Sequence, residues 1–569
     1  MRSWASGSLL CLVVLLLLLA TPAPVFAQNP TVGSTNPNMA PQGTISLDVT
    51  INGSGYKRGA KAKWFVTGTT NPGGVTVNNT TFVSSSQLTA NITVAADAVI
   101  AGFDVQVANS DGRTGVGIDA FTITVGHGAN ACVAQPLPAG ISLLGTLTGS
   151  ALTTDNGFGS VIRVRQVTLG SQTVLVAAVG SWADSPGKVE IFFLDPVTGQ
   201  VLDGQMIGSA TQPQPHIVVP YATVGGARDM AAGDMNNDGI PDFVVGVADG
   251  SNGSVHGVYA LLSSVSGGVL SYQLYNITAP ETAGNFGEGA LAMGDLDGLP
   301  GDELVAGAPG GGNVNTSSFI PGKVFIFKFN GSGFTFVRRL VSPLAGSKEN
   351  DGFGKRAVID DVTGDSRNDL IVGAPWWSAN KQNPSAGRFF IFPGTVDASN
   401  YLVFSTGVGG ESFGARLATG NVNGGYRDLI ATTGQDAGSD VDRRAHVYSG
   451  LISAGQAPSY VLRPAAGLGD HWTTGSPGVG DLNGDGLDDV LIGADQATCG
   501  GTAYLFLSNS GIPLATRVLL QPPVVESDSQ AFGHRFDIAA GTRLFVVSDI
   551  GANVGGVAGS GKVYIYKVN

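Results

Sequence analysis

Short apolar runs bounded by glycine-rich turns follow one another along the chain after residue 140. One apolar signature recurs in these runs: GKVEIFF at 187, GVYALL at 257, GKVFIFKF at 322, GRFFIF at 387, RAHVYS at 444, GTAYLFL at 501 and GKVYIYK at 561. Runs of this length, rich in β-branched and aromatic residues, are typical of β-strands. Seven copies at a roughly regular spacing indicate an internal repeat.

Two further motifs accompany most copies in a fixed order. A Phe-Gly pair stands before most copies: Phe158-Gly159, Phe286-Gly287, Phe353-Gly354, Phe413-Gly414 and Phe532-Gly533. A strand that ends in Gly-Ala-Pro or a relative lies between the pair and the copy, as in LVAGAPG and LIVGAPWW. Each unit therefore predicts about four short strands, and a radial arrangement of such units leaves few unprotected sheet edges.

Acidic turns precede the Gly-Ala-Pro strand in several units. In GDLNGDGLDDVLIGA, positions 1, 3, 5 and 9 are acidic or amide side chains and position 7 offers a backbone carbonyl; the five residues are Asp481, Asn483, Asp485, Asp489 and, through its carbonyl, Leu487. Alternate residues of a tight loop can point their oxygens inward, and Ca²⁺ takes about 6 to 8 oxygen ligands. Carboxylates so close together repel one another, so the sequence predicts a bound calcium ion that neutralises them.

The same spacing recurs in two further turns and partly in others. The ligands predicted in the two full copies are Asp234, Asn236, Asp238, Ile240 (carbonyl) and Asp242, and Asp361, Thr363, Asp365, Arg367 (carbonyl) and Asp369. A fourth turn keeps Asp295, Asp297 and Glu303 but has Leu299 at position 5, where Asp302 can substitute. The turn with Asn421, Asn423 and Asp428 has lost most carboxylates, and no ion is predicted there. Three to four structural calcium sites are expected.

The spacing of these turns also invites two other interpretations. An EF-hand needs a bidentate Glu at about position 12 and flanking helices, whereas position 12 here lies in apolar strands, at Val245, Ala306, Val372 and Ile492. The EF-hand is therefore excluded. A solvated Asn/Asp/Gly turn without metal remains an alternative for each copy.

The order of Phe-Gly pair, acidic turn and Gly-Ala-Pro strand resembles the FG-GAP repeats of integrin α-subunit β-propellers over residues 141–569. The resemblance and the seven copies predict an all-β fold with a seven-bladed β-propeller. The last unit stops before its outer strand, whereas residues 141–150 look like an outer strand with no unit before them. We expect residues 141–150 to complete the last blade. The resemblance implies that the calcium turns lie on the face of the propeller opposite the ligand-binding loops.

The segment before the repeats is organised differently. Residues 28–126 show period-two alternation, which predicts a small β-sandwich. The segments NPNMAPQGTISLDVTINGSGY and SSSQLTANITVAADAVIAGFDVQVANSDGRTG resemble IPT/TIG immunoglobulin-like domains. Residues 127–140, rich in Gly and Pro, are the expected linker.

The first residues predict export. Arg2, the apolar run 9–20 and the sequence Val25-Phe26-Ala27 fit a signal peptide (1–27) cleaved after Ala27, and no later run is long enough for a transmembrane helix. A secreted or cell-surface monomer is expected. In an oxidising compartment Cys132 and Cys499 can form a disulfide, with two separate thiols as the alternative. The net charge of −13 excludes a nucleic-acid partner.

The predicted function is non-covalent recognition or adhesion, with an extracellular protein or carbohydrate as ligand. The resemblance places the loops after the Gly-Ala-Pro strands on the ligand-facing side, and these loops contain Trp182, Trp376 and Trp377. Exposed Trp can stack on a sugar or anchor a protein contact, and packing between blades is the alternative. The sequence shows no catalytic constellation. The rival hypothesis is an extracellular hydrolase or lyase acting on polysaccharide or lipid, which would use histidines brought together from separate blades: His216, His471 and His534.

Overall fold

The computed structural model describes most of the chain after residue 28. The described residues are 29–42, 44, 46–95, 98–124, 136–150, 152–182, 187–202, 216–220, 226–248, 256–266, 269–310, 320–343, 351–378, 385–394, 396–434, 443–463, 475–495, 500–509, 514, 516–525 and 531–569. The predicted signal peptide, both predicted disulfide cysteines and His471 lie outside them. Within these ranges no helix has the length and hydropathy that a membrane span needs.

Two four-stranded sheets form the N-terminal part. Their strands are β1 (Thr31–Asn36), β2 (Met39–Pro41), β3 (Leu47–Ser54), β4 (Lys61–Val66), β5 (Val75–Ser84), β6 (Gln87–Val94), β7 (Gly102–Ala108) and β8 (Thr114–Thr124). The orders are β1-β3-β6-β5 and β2-β8-β7-β4. Alternate residues of both sheets, among them Ile51, Trp64 and Phe121, form one buried core, as the period-two pattern predicts.

The remaining strands begin at residue 141. They are β9 (Ile141–Leu147), β10 (Phe158–Leu169), β11 (Gln172–Ser181), β12 (Lys188–Leu194), β13 (His216–Pro220), β14 (Gly226–Gly233), β15 (Asp242–Ala248), β16 (His256–Ser266), β17 (Val269–Ile277), β18 (Leu291–Gly294), β19 (Glu303–Ala308), β20 (Lys323–Phe329), β21 (Phe334–Val341), β22 (Arg356–Asp360), β23 (Asp369–Ala374), β24 (Arg388–Phe392), β25 (Leu402–Phe404), β26 (Arg416–Gly420), β27 (Asp428–Thr432), β28 (Ala445–Tyr448), β29 (Tyr460–Leu462), β30 (Gly478–Gly480), β31 (Asp489–Ala494), β32 (Thr502–Leu507), β33 (Thr516–Leu520), β34 (Phe532–Ile538), β35 (Leu544–Asp549) and β36 (Lys562–Val568).

These strands form seven antiparallel four-stranded sheets within the described residues. Six sheets use consecutive strands, from β10-β11-β12-β13 to β30-β31-β32-β33, and the seventh has the order β34-β35-β36-β9. The first strand of each sheet contacts the first strand of the next, and β34 contacts β10. The sheets therefore form a closed ring around their first strands, here called the inner strands. The predicted all-β, β-propeller architecture is confirmed.

The ring closes between the first and last sheets through paired strands and side chains. Strand β9 pairs with β36, with Leu147 opposite Val563, which agrees with the predicted placement of residues 141–150. Asp537 of β34 accepts the backbone N–H of Val164 at 2.6 Å and pairs with Arg165 at 2.9 Å. These bonds join the first sheet of the ring to the last.

Contacts between neighbouring sheets explain the Phe-Gly and Gly-Ala-Pro motifs. Gly414 has φ of 82°, and a Cβ at Gly373 of the preceding sheet would lie 2.3 Å from the Gly414 carbonyl oxygen. Gly493 meets the Gly533 carbonyl oxygen in the same way, at 1.9 Å. The Phe residues of the pairs are buried between the sheets. Because backbone approaches backbone at these points, any side chain would push the sheets apart.

Candidate metal centres

Five polar turns connect the inner strand of a sheet to its second strand. We name each by its first residue, and their ranges are the Asp234 turn (234–242), the Asp295 turn (295–303), the Asp361 turn (361–369), the Asn421 turn (421–428) and the Asp481 turn (481–489). Since all five follow the same strand of their sheets, they lie at one end of the ring.

A buried carboxylate at the last position closes each of these turns. Both oxygens of Asp489 accept backbone N–H groups, from Leu482 at 2.9 Å, Asn483 at 3.2 Å and Ser508 at 2.7 Å. Asp242 makes the equivalent bonds in its own turn. The Asp489 side chain has no exposed surface. This residue therefore joins its turn to the third strand of the sheet.

Burial makes these carboxylates unfavourable as bare anions. Desolvation raises the pKa of Asp242 to about 6 and that of Asp489 to about 7, although the hydrogen bonds act in the opposite direction. It also raises the pKa of Asp369. A neighbouring cation stabilises the ionised form of a carboxylate and relieves this cost. The electrostatics of the turns thus favour either a proton or a cation.

The Asp361 turn has the donor set that suits a hard cation best. Carboxylate oxygens of Asp361, Asp365 and Asp369 lie within 4.8 Å of one another. In the described part of the chain, no Lys or Arg nitrogen lies within 4.0 Å of them. The Thr363 hydroxyl donates to Asp369 at 3.1 Å, and the Arg367 N–H donates to Asp365 at 2.9 Å. Oxygen ligands so placed are those that Ca²⁺ takes.

The Asp234 and Asp481 turns hold their carboxylates further apart. The amide nitrogen of Asn483 donates to Asp485 at 3.2 Å, and its Oδ1 accepts the Asp485 N–H at 2.9 Å. Asn236 bridges to Asp238 in the same way. The Ile240 carbonyl accepts the Ser263 hydroxyl at 3.3 Å, and the Leu487 N–H donates to Asp485 at 2.9 Å. The residue types in both turns fit a hard cation, and these hydrogen bonds fix the conformation of the turns.

The Asp295 turn contains a cation supplied by the protein itself. Asp295, Asp297 and Glu303 come within 4.8 Å of one another, but the Lys328 ammonium contacts Asp297 at 2.7 Å and Glu303 at 2.6 Å. In the register of β19 and β20, Lys328 lies opposite Glu303, the last residue of the turn. The equivalent residues in the sheets of the Asp234, Asp361 and Asp481 turns are Leu262, Pro393 and Leu507. A lysine that is distant in sequence therefore places its ammonium among the carboxylates of this turn. The spacing of residues within the turn does not predict it.

In the Asp295 and Asp481 turns, the aspartate at position 8 links neighbouring sheets. Asp302 accepts the Asp234 N–H at 2.8 Å and donates its own N–H to the Asp234 carbonyl at 2.9 Å. Asp488 makes the same pair of bonds with Asn421. The suggestion that Asp302 serves as a ligand in its own turn is thus corrected, because its carboxylate faces the preceding turn. The only sign of this contact in the sequence is an aspartate at position 8 of both turns.

Replacement of Lys328 with Met is expected to convert the Asp295 turn into a calcium-dependent one. Without the ammonium, Asp297 and the buried Glu303 repel each other, which lowers the stability of the chelated protein by about 2 kcal/mol. Calcium should restore most of this loss and the number of ions bound should rise by one, as measured by equilibrium dialysis. Lys323→Met, at the start of the same strand, is the control. An unchanged calcium stoichiometry in the Lys328 variant would contradict the assignment.

The predicted ligand-loop tryptophans lie at the opposite end of the inner strands. Trp182 is 45% exposed, and the Arg228 guanidinium lies 3.8 Å from the centre of its ring. Trp376 and Trp377 are half-buried, beneath the Lys355 ammonium at 5.5 Å and the Arg388 guanidinium at 4.8 Å. Trp182 is therefore the most exposed of the three tryptophans.

One histidine of the rival enzymatic hypothesis has a carboxylate partner at this end. His534 Nδ1 lies 2.7 Å from Asp495, and both side chains are largely buried. Burial lowers the pKa of His534, with the neighbouring Arg535 acting in the same direction. The side chain of His216 and the whole of His471 are outside the described part, so the structure does not show the three histidines together.

Comparisons with known proteins agree with this geometry. Residues 473–506 match the FG-GAP repeat family. The chain is 30% identical to human integrin alpha-IIb over 251 residues, which are 41% of this chain and 22% of that protein. It is 27% identical to human phosphatidylinositol-glycan-specific phospholipase D over 316 residues, which are 50% of this chain and 36% of that protein.

The match to these relatives covers well under two thirds of their length. A solved structure described as "Structure of Dos1 propeller" aligns with 95% of this chain at 10% identity and a TM-score of 0.25. The strand order, the matched repeat and the integrin similarity point the same way. The chain therefore contains an FG-GAP repeat within a β-propeller and is similar to integrin α subunits over less than half of its length.

Proposed function

We propose that this protein is a secreted, calcium-stabilised propeller of seven blades that recognises an extracellular protein or carbohydrate without covalent chemistry. The N-terminal sheets form an immunoglobulin-like spacer or docking domain, and the protein acts as a monomer. The similarity to human integrin alpha-IIb over 251 residues supports a recognition or adhesion role.

The observation that carries the proposal is the separation of two chemistries by the inner strands. Strand β14 begins near Arg228, which stacks on Trp182, and ends at the Asp234 turn. Strand β22 begins beside Lys355, near Trp376, and ends at the Asp361 turn. One end of the ring thus carries exposed aromatic surface and the other carries the acidic turns. Loops on a rigid scaffold are the usual place for binding residues.

Calcium has a structural role in this proposal. The Asp234, Asp361 and Asp481 turns would hold one ion each through the side chains and carbonyls predicted from their spacing. The fourth predicted site, in the Asp295 turn, would hold no ion, because the Lys328 ammonium already contacts two of its three carboxylates. An ion there supplies charge neutralisation and no reaction step. The turns stiffen the scaffold from the end opposite the aromatic surface.

A hydrolase or lyase acting on polysaccharide or lipid is the second candidate. Two observations favour it: the similarity to a phospholipase D and the close His534–Asp495 pair near the inner strand β34. A carboxylate can orient a histidine for general acid–base catalysis. A histidine–carboxylate pair alone defines no reaction, so the similarity to integrin alpha-IIb makes recognition the better supported function.

Ligand binding is expected to depend on Trp182. A screen of glycans and extracellular-matrix proteins should identify a ligand that is bound and released unchanged, and Trp182→Ala should weaken its binding about thirtyfold, as for a central aromatic contact. Tyr426→Ala is the matched control, because Tyr426 is 53% exposed in the Asn421 turn at the opposite end. Equal losses in both variants would contradict a Trp182 surface, and release of product would favour the enzyme.

A further inference from the structure

The N-terminal sheets contact the ring at its sixth sheet, β30-β31-β32-β33. Arg517 lies on the outer strand β33, and Nη2 of its guanidinium donates to the Asp119 carboxylate and to the Thr122 hydroxyl, each at 3.2 Å. Nη1 donates to the carbonyl oxygen of Arg463, directly after β29 of the fifth sheet, at 3.4 Å. Only 7% of the Arg517 side chain is exposed. One side chain therefore joins the N-terminal sheets to two sheets of the ring.

The N-terminal sheets hold the Asp119 carboxylate ready for this contact. Asp119 lies in β8 where the pairing with β7 shifts its register, and such a bulge re-aims a side chain. Its N–H donates to Asp104 at 2.8 Å, and its carboxylate accepts the Thr67 hydroxyl at 3.4 Å. Gly102 leaves the space, because a Cβ there would collide with Asp119 and lie 2.9 Å from Nη2 of Arg517. The acceptor and the room for the guanidinium thus belong to one local arrangement.

An apolar contact accompanies the ion pair. Ile100, just before β7, packs against a buried cluster of the fifth and sixth sheets. Leu514 and Leu519 belong to this cluster, and each is only 6% exposed. A contact that combines a buried apolar part with oriented polar bonds has the composition of a specific protein interface.

The corresponding positions of other outer strands are exposed. In the fifth sheet, Val461 takes the place of Leu519, since each pairs with the equivalent residue of its third strand, and Val461 is 41% exposed. In the third sheet, Phe336 takes the place of Arg517 and is 43% exposed. The burial of Arg517 and Leu519 therefore distinguishes the outer strand that meets the N-terminal sheets.

The N-terminal sheets supply the acceptors that allow Arg517 to be buried. A guanidinium that leaves water is unfavourable unless other groups replace its hydration. The Asp119 carboxylate provides a charge-assisted bond, which is stronger than a bond between neutral groups. Charged groups arranged in this way also fix the register of two surfaces.

We propose that this contact is a fixed joint, in which Arg517 holds the N-terminal sheets against the outer strand of the sixth sheet. Residues 127–140, rich in Gly and Pro, would by themselves leave two domains free to move relative to each other. The joint sets their orientation instead, so the N-terminal sheets act as a docked domain and not as a free spacer. The inference goes beyond the proposed recognition function, because it needs neither a ligand nor calcium.

The test is single-molecule energy transfer in the full chain, with two dyes attached through non-canonical side chains at Val83 and Val403. Val83 is 52% exposed in the N-terminal sheets, and Val403 is 38% exposed on the outer strand β25 of the ring. The parent should give one narrow distance distribution. Arg517→Ala should broaden it at least twofold, because the domain is then held mainly by residues 127–140. A broad distribution in the parent would overturn the joint.

A control and a second variant separate the joint from folding. Arg339→Ala, on the outer strand β21 and 49% exposed, should leave the distribution as narrow as in the parent. Asp119→Asn keeps the shape of the side chain but removes its charge, so it should give an intermediate width. Circular dichroism verifies that each variant keeps its strand content, and if Arg517→Ala does not, Asp119→Asn alone decides. A folded variant with the parent's distribution, or equal broadening in Arg339→Ala, would contradict the proposal.

Discussion

Asp489→Ala is expected to lower the free energy of unfolding by about 3 kcal/mol even when calcium is absent. The substitution leaves the N–H groups of Leu482, Asn483 and Ser508 without their acceptor, and each buried donor without a partner costs about 1 kcal/mol or more. It also removes the last carboxylate of the predicted calcium site. Urea denaturation with chelator and with calcium measures the two effects separately.

Asp485→Ala is the matched comparison within the same turn. Asp485 is exposed, and its carboxylate accepts the Leu487 N–H and the Asn483 amide. Its loss should cost about 0.5 kcal/mol or less in chelator, but it should reduce the stabilisation by calcium as much as Asp489→Ala does. If Asp485→Ala keeps the full response to calcium, the Asp481 turn is a metal-free polar turn.

Removal of calcium is expected to destabilise the parent protein, and more at pH 8 than at pH 5. With extracellular-type dissociation constants of roughly 10⁻⁴ to 10⁻³ M, millimolar calcium contributes about 1 kcal/mol at each site. Three sites then contribute about 3 kcal/mol, which is a large part of the stability of an ordinary domain. Melting temperatures with calcium and with chelator, across this pH range, measure the effect.

The pH dependence follows from the buried carboxylates. In the chelated protein the pKa values of Asp242 and Asp489 are raised to about 6 and about 7, above the ordinary 3.8. The folded state therefore binds protons more tightly than the unfolded state, and this contribution is full below about pH 4 and lost as the pH rises through about 6 and 7. A bound ion keeps the carboxylates ionised, so the loss should disappear with calcium. A chelated protein that gains stability from these groups between pH 5 and pH 8 would contradict the burial effect.

Two parts of the candidate sites show how far sequence spacing reaches. Asp481, Asp485 and Asp489 lie in one continuous turn, so their proximity follows from the local backbone and could be predicted. Lys328 is 25 residues beyond Glu303 and meets it only because β20 pairs with β19 in one register. The pairing of Arg165 with Asp537 is less accessible still, since the two residues belong to the first and last sheets and become neighbours only when the ring closes.

The sequence by itself determined the repeat, the strands, the acidic turns and the completion of the last sheet by residues 141–147, because these depend on local patterning and on the matching of repeated units. The tertiary structure alone decided which charges meet. Lys328 at the Asp295 turn, Asp302 at the preceding turn and Asp537 beside Arg165 are all products of strand register and ring closure. Electrostatic interactions act through space, and a linear pattern does not record distances between residues far apart in the chain.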